Sequence, residues 1–296
     1  MQSSNVCDPA YRRAIGPVCR VGESPVWDAP SASLFWADVR GPALHRFAAA
    51  TEEITTWPLA EPIGAFAIDA SGNAVAALRS GVYRMDLADA TTSLIVRPEP
   101  ARLHNRLNDG KVSPCGNFFV FGSMHDRIPR EPIGALYCLD AIGHCKRIAD
   151  GFCVNNGLAW SCDGRTLYQS DSHLGVIFAW DWDAGSGTVQ GRRVFATADE
   201  AEGRPDGAAV DVDDCYWSAG VSAGVVHRYS PKGARLLRMP VPARNPTMPA
   251  FGGAGLDVMY VTSLVRAGDI PGALDGRVLE FDSPVKGTSP PRFNGG

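Results

Sequence analysis

Along the chain, short apolar runs alternate with turns rich in Asp, Ser and Gly, and no long window carries a helical period. One phrase recurs: an apolar strand, a polar turn, then a strand with aromatic or β-branched residues. It appears as GESPVWDAPSASLFWADV from Gly22, GAFAIDASGNAVAAL from Gly64, GKVSPCGNFFVFGSM from Gly110, GLAWSCDGRTLYQSDS from Gly157 and GAAVDVDDCYWSAG from Gly207. A weaker copy, AFGGAGLDVMYVTSL, begins at Ala250, and successive starts are 42, 46, 47, 50 and 43 residues apart. A further hairpin-like stretch follows each copy, for example GVYRMDLADATTSLIVR. Roughly four strands per repeat, six times over, predict an all-β fold: a six-bladed β-propeller with four-stranded antiparallel blades. Regular spacing over the whole chain argues against the main rival, a pair of β-sandwiches.

A propeller must close its ring, so IGPVCRV near the N-terminus is expected to complete the last blade beside GRVLEFDSP. The expected organisation is an N-terminal extension over residues 1–14 and one propeller domain over 15–296.

In this architecture the loop entering each innermost strand opens onto one end of the central axis. That position holds Glu23, the pair Asn108–Asp109, Asn156 and Asp206 in four repeats, and Ile63 and Thr247–Met248 in the other two. Taken singly, Asp-Gly and Asn-Gly pairs are ordinary turn formers, and Asp109 reads as one. Their shared register across blades, with Glu23 added, points instead to a site. Converging without partners, such a set would repel itself and needs a cation or solvent to balance it, and oxygen donors suit a hard divalent ion.

Charge narrows the partners. A net charge of −4, with no concentration of Lys or Arg, excludes a nucleic-acid or anionic-membrane surface. No apolar run is long enough to span a bilayer, and the first residues lack a signal-peptide pattern. The eight Cys show no C-x-x-C pair, so reduced, mostly buried thiols of a cytoplasmic protein are expected. GVSAG at Gly220–Gly224 matches a nucleophile elbow, but the flanking segments read as strands, whereas that motif needs a helix after it. The six His show no metal-binding spacing, although His125 ends a strand near the expected channel mouth.

Five segments, GESPVW, NRLNDGKV, NNGLAWS, RPDGAAVD and AFGG…YVTS, together resemble the regucalcin/gluconolactonase (SMP-30) family, in order and spacing, from Gly22 to the last blade. The resemblance implies one divalent metal (Ca, Zn, Mn, Mg or Fe) held by Glu23, Asn156 and Asp206. It implies substrate contacts from Arg106 and Asn108, and hydrolysis of sugar lactones to aldonic acids. Family members often place a glutamate a few residues after GTM. Here the stretch is GSMHDRIPR, with Arg127 near that place, so His125, Asp126 and Arg127 become candidate substrate-binding residues.

The expected function is metal-dependent hydrolysis of a pentono- or hexonolactone, with the metal as Lewis acid and Asp206 as general base. A small-molecule lactone is the expected partner, and the chain is expected to be a monomer or weak homo-oligomer. The alternatives are a phosphotriesterase-like hydrolase on the same scaffold and a non-catalytic calcium-binding propeller.

Overall fold

The computed structural model describes residues 5–295. Among them there is no helix, and the strands fall into six sheets arranged as a ring of blades. The innermost strands, in blade order, are Gly22–Asp28, Ile63–Ile68, Asn105–Val112, Asn155–Trp160, Pro205–Val210 and Pro246–Gly252. Each begins an antiparallel meander running outward, as in blade 1 through Ser33–Asp38 and Ala43–Ala48 to Glu53–Pro58. Because neighbouring blades cover both faces of an inner strand, these segments are almost wholly buried, and Ile63–Ile68 is a continuous apolar run while the others carry polar side chains in their first residues. Outer strands such as Glu53–Pro58 face solvent and carry polar side chains.

The repeat phrase is thus the inner two strands of a blade, and its aromatic residues fill the seams between blades. Trp27 of blade 1 stacks on Tyr260 of blade 6 at 5.9 Å, Tyr168 meets Tyr216 across blades 4 and 5 at 5.1 Å, and Trp217 meets Phe251 edge-on at 5.9 Å across blades 5 and 6. Between blades 2 and 3, Phe119 and Phe121 pack against Ala65, Ala67 and Val75. Burying one such large side chain contributes about 1.5–3 kcal/mol. Small residues opposite large ones let neighbouring sheets interdigitate without voids.

The ring closes as expected, but with a different segment. Tyr11–Ile15, not IGPVCRV, is the outer strand of blade 6, pairing antiparallel with Val278–Asp282 in the register Arg13↔Glu280 and Ile15↔Val278. Residues 11–14, expected in an extension, therefore belong to the propeller, and Asn5–Val6 adds a short parallel edge to blade 5. At the other end of the chain, a tail crosses the bases of several blades. Thr288 N donates to Val210 O, Phe293 N to Ile68 O and Asn294 N to Gly116 O, while Arg292 forks onto Asp28 at 2.7 and 2.8 Å.

All eight Cys are free thiols; Cys19, Cys138, Cys153 and Cys215 are buried, so half rather than most are hidden. GVSAG lies in the hairpin between Tyr216–Gly220 and Val225–Tyr229, and Ser222 Oγ donates to Glu200 O, far from a nucleophile's setting.

Candidate functional site

All six inner strands start with an irregularity. The pairing register shifts between Glu23 and Val26, Ile63 and Ala65, Asn108 and Gly110, Asn156 and Ala159, Pro205 and Ala208, and Pro246 and Met248. Such a bulge twists the strand and re-aims a side chain. Glu23, Asn108, Asn156 and Asp206 therefore sit within the first residues of the strands, not in entry loops, and the bulges turn them toward the axis.

The glycines that follow serve close packing rather than turns. A Cβ on Gly64 would lie 2.2 Å from Leu107 O, one on Gly157 2.5 Å from Tyr216 Oη, and one on Gly207 2.4 Å from Met248 Cβ. Inner strands approach too closely around the axis for a side chain there.

A hydrogen-bond relay joins three blades. Arg106 Nη1 donates to Leu107 O at 3.0 Å and to Asn108 Oδ1 at 2.5 Å. Asn108 Nδ2 donates to Asn155 O at 2.7 Å and to Asn156 Oδ1 at 2.8 Å. Asn156 Nδ2 donates in turn to Ser172 Oγ at 2.8 Å and to Asp206 Oδ1 at 2.5 Å. Every member of the chain is buried, so each bond is made in a low-dielectric setting where leaving it unmade is costly.

The carboxylates show the electrostatic tension of the site. Burial first, then Asp206 and Asp109, push the Glu23 carboxyl well above its usual range. Burial and Asp109 raise Asp206 to about 7, partly offset by Arg204, Arg106 and the Asn156 amide. Asp109, read as a turn residue, is inside its strand and 3% exposed; its Oδ2 accepts from Leu158 N and its Oδ1 has no hydrogen-bond partner. Lys111, two residues on, is its charge partner. Among the described residues Glu23 accepts only a 3.2 Å bond from Ser24 N, and no guanidinium bonds to Glu23 or Asp206.

This donor set fits a hard cation: two buried carboxyls, both pushed up and with no guanidinium bonded to either among the described residues, and a carboxamide beside one of them. Among the described residues no group of three or more His, Cys, Asp or Glu is placed to hold a metal; the side chain bonded to Asp206 here is the carboxamide of Asn156.

Asp126 lies at the same mouth and gathers arginines. Its Oδ1 is 2.6 Å from Arg40 Nη2, 3.5 Å from Arg106 Nε and 3.7 Å from Arg130 Nη1. Burial pushes the Asp126 carboxyl up, but these three guanidiniums outweigh it and hold it below its usual value. Burial, with Arg40 and Arg130 nearby, brings Arg106 down to about 10. His125 is buried; its Nδ1 accepts from Glu131 N at 3.2 Å, and its carbonyl accepts from Arg130. Arg127 is exposed and makes no ion pair or side-chain hydrogen bond among the described residues, so it stands outside the cluster. Sequence reasoning missed Arg40, Arg130 and Ser172. The signals were the DVRG turn after the second strand of blade 1 and the second arginine of DRIPR.

Residues 21–265 match the family described as SMP-30/gluconolactonase/LRE-like region. The chain belongs to that family. It is 38% identical over 246 residues to 6-deoxy-6-sulfogluconolactonase of Pseudomonas putida, covering 82% of this chain and 83% of that protein. Human regucalcin is 31% identical over 248 residues, with coverage of 82% and 83%. The crystal structure of a calcium-binding protein, regucalcin, from Agrobacterium tumefaciens superposes with a TM-score of 0.92 at 26% identity, covering 98% of this chain and 99% of that one.

The opposite end of the channel holds a cavity of about 250 Å³, lined by Val26, Phe66, Ile68, Trp160, Phe251 and Pro290 among others. Its lining is mostly apolar, and none of Glu23, Asn156, Asp206 or Asp126 contributes to it.

Proposed function

We propose that the protein hydrolyses a sugar lactone of pentono or hexono type to the aldonic acid at the mouth formed by Glu23, Asn108, Asn156 and Asp206. The observation that carries this reading is the relay from Arg106 through Asn108 and Asn156 to Asp206, which ties an oxygen-recognising guanidinium to a carboxylate poised for proton transfer. Membership of the family and the lactonase among the relatives support the lactone class.

Glu23, Asn156 and Asp206 would hold a divalent cation, which when bound supplies Lewis-acid polarisation of the ester carbonyl. The chain's own residues do the rest. Asp206 Oδ1 is tied to Asn156, which leaves Oδ2 to take a proton from the attacking water. The water oxygen bonds to the lactone carbonyl carbon, the ring C–O bond breaks, and Asp206 returns the proton to the departing ring oxygen. The products are a hydroxyl and a carboxylic acid, so one water is consumed per ring opened. Arg106 and Asn108 orient the ring oxygens, since a planar fork and a carboxamide match oxygen-rich ligands. Asp126 positions Arg106, and His125 holds Arg130 through its carbonyl.

The test is acid release from a panel of C5 and C6 lactones by metal-stripped protein reconstituted with one ion at a time. Hydrolysis of at least one lactone that depends on the added ion is expected. Release from none of them, with ion binding retained, would replace this reading with a non-catalytic cation-binding propeller.

A further inference from the structure

We propose that the lactone taken by this site carries a negatively charged group remote from its ring carbonyl, and that Arg40 and Arg130, beside Arg106, hold that group. The inference rests on the lactonase reading and adds the substrate class.

Three guanidiniums at the mouth meet a single carboxylate. Arg40, Arg106 and Arg130 have no ion-pair partner among the described residues other than Asp126, and all three approach the same oxygen of it. The cluster therefore holds more positive charge than the fold itself neutralises. Each guanidinium offers five N–H donors, yet the acceptors they reach are few: Asp126 Oδ1, the carbonyls of Leu107 and His125, and Asn108 Oδ1. Arg106 is only 8% exposed, and its Nε has no hydrogen-bond partner. That Nε faces Asp126 Oδ1 at 3.5 Å, a charge contact too long for a hydrogen bond, so a buried donor stands beside two further guanidiniums without a close acceptor, which a bound anion would supply.

Position makes the group remote from the reacting bond. The carboxyls of Glu23 and Asp206 lie toward the axis, whereas the arginines gather around Asp126 to one side, linked to them through Asn108 and Asn156. A ligand with an anionic tail is thereby oriented: its tail is drawn to the arginines, which leaves the ring over the relay. Arginine forks match the oxygens of sulfonate, phosphate and carboxylate alike. A neutral tail would cover the arginines without pairing them, and a site built around charged donors rejects the ligand that leaves them unpaired.

The experiment compares kcat/KM for gluconolactone with that for its 6-phospho, 6-deoxy-6-sulfo and 6-carboxyl (glucaro) counterparts. At least one anionic lactone should exceed the neutral one by tenfold or more, with the preference shrinking as salt rises; which one it is identifies the anion. Arg40→Gln and Arg130→Gln should each lower that preference ratio at least tenfold. A wild-type ratio of one or below, or a ratio that survives both substitutions, overturns the proposal. Calorimetric binding of 6-phosphogluconate against gluconate reads the subsite without turnover. Preferential anion binding without hydrolysis of any lactone would sink the lactonase reading and keep the subsite, whereas equal binding of the two would sink the subsite.

Discussion

Asn156 reaches across a blade boundary and places its Nδ2 2.5 Å from Asp206 Oδ1. This bond engages one oxygen of Asp206, and the other accepts no hydrogen bond among the described residues.

Asp206→Asn keeps the size of the side chain and removes the base. Turnover of the best lactone should fall by about 10³-fold, the scale of a lost general base, while the melting temperature changes little. Near wild-type rates in this variant would remove Asp206 from the mechanism.

Asn156→Ala should cost roughly 10–100-fold in cation affinity or turnover, as loss of groups that orient ligands commonly does. The relay also predicts coupling. Because Asn108 donates to the same side chain, the Asn108→Ala/Asn156→Ala double variant should lose less than the two single losses combined. Independent, additive effects in a cation titration would show that the relay is not a unit.

Removing metal should make stability depend on pH. An unfolded carboxyl titrates near 4, whereas the fold holds Asp206 at about 7 and Glu23 well above its usual range. A raised acid favours the fold in its protonated form, so that contribution is fully present below about pH 4 and is lost as pH rises through about 7. In chelator, the melting temperature should therefore drop by roughly 5 °C between about pH 5 and pH 8. A divalent cation should restore it at the upper pH and do little at the lower. Melting that is flat with pH and indifferent to cations would refute the assignment of Glu23 and Asp206 as ligands.

Gly157→Ala tests the close approach beside the site. Gly157 has φ +63°, and a Cβ there would lie 2.5 Å from Tyr216 Oη, 2.6 Å from Ser170 Oγ and 3.0 Å from Asp206 O. The change should cost about 2–4 kcal/mol from strain and overpacking together. Gly151→Ala is the control: φ is +86° with nothing within 4 Å, so only backbone strain of about 1 kcal/mol remains. Equal losses in denaturant titrations would show that packing around the axis is not what requires glycine at 157.

The blades were legible in the sequence because inner strands are buried on both faces and repeat as one phrase. The shared register of Glu23, Asn108, Asn156 and Asp206 could be read from the repeat, but their place inside strands could not, because a bulge leaves no mark in the spelling of the phrase. Tyr11–Ile15 was not legible: as an edge strand its residues YRRAI are mostly polar, and Arg12 and Arg13 bond to Glu280 and Asp282 rather than pack in a core. Arg40 and Arg130 were missed for another reason. They converge on Asp126 from loops of blades 1 and 3, and local periodicity carries no information about which loops share a mouth. Asp109 was misread because an Asp-Gly pair has the same spelling in a turn and at a bulge where strands crowd together.

Ring closure also has a consequence for how the chain is made. Arg13 finds its partner strand only when Glu280 exists, so synthesis from the ribosome can deliver five blades before the last can be completed. Until then the outer edge of the Val278–Asp282 strand and its partner near the N-terminus are unpaired templates for other chains. The charges along Tyr11–Ile15 discourage that mispairing during the interval. Aggregation during production should accordingly be most acute in the interval before Val278–Asp282 has been made, when a nearly finished ring waits on a contact between segments far apart in the chain.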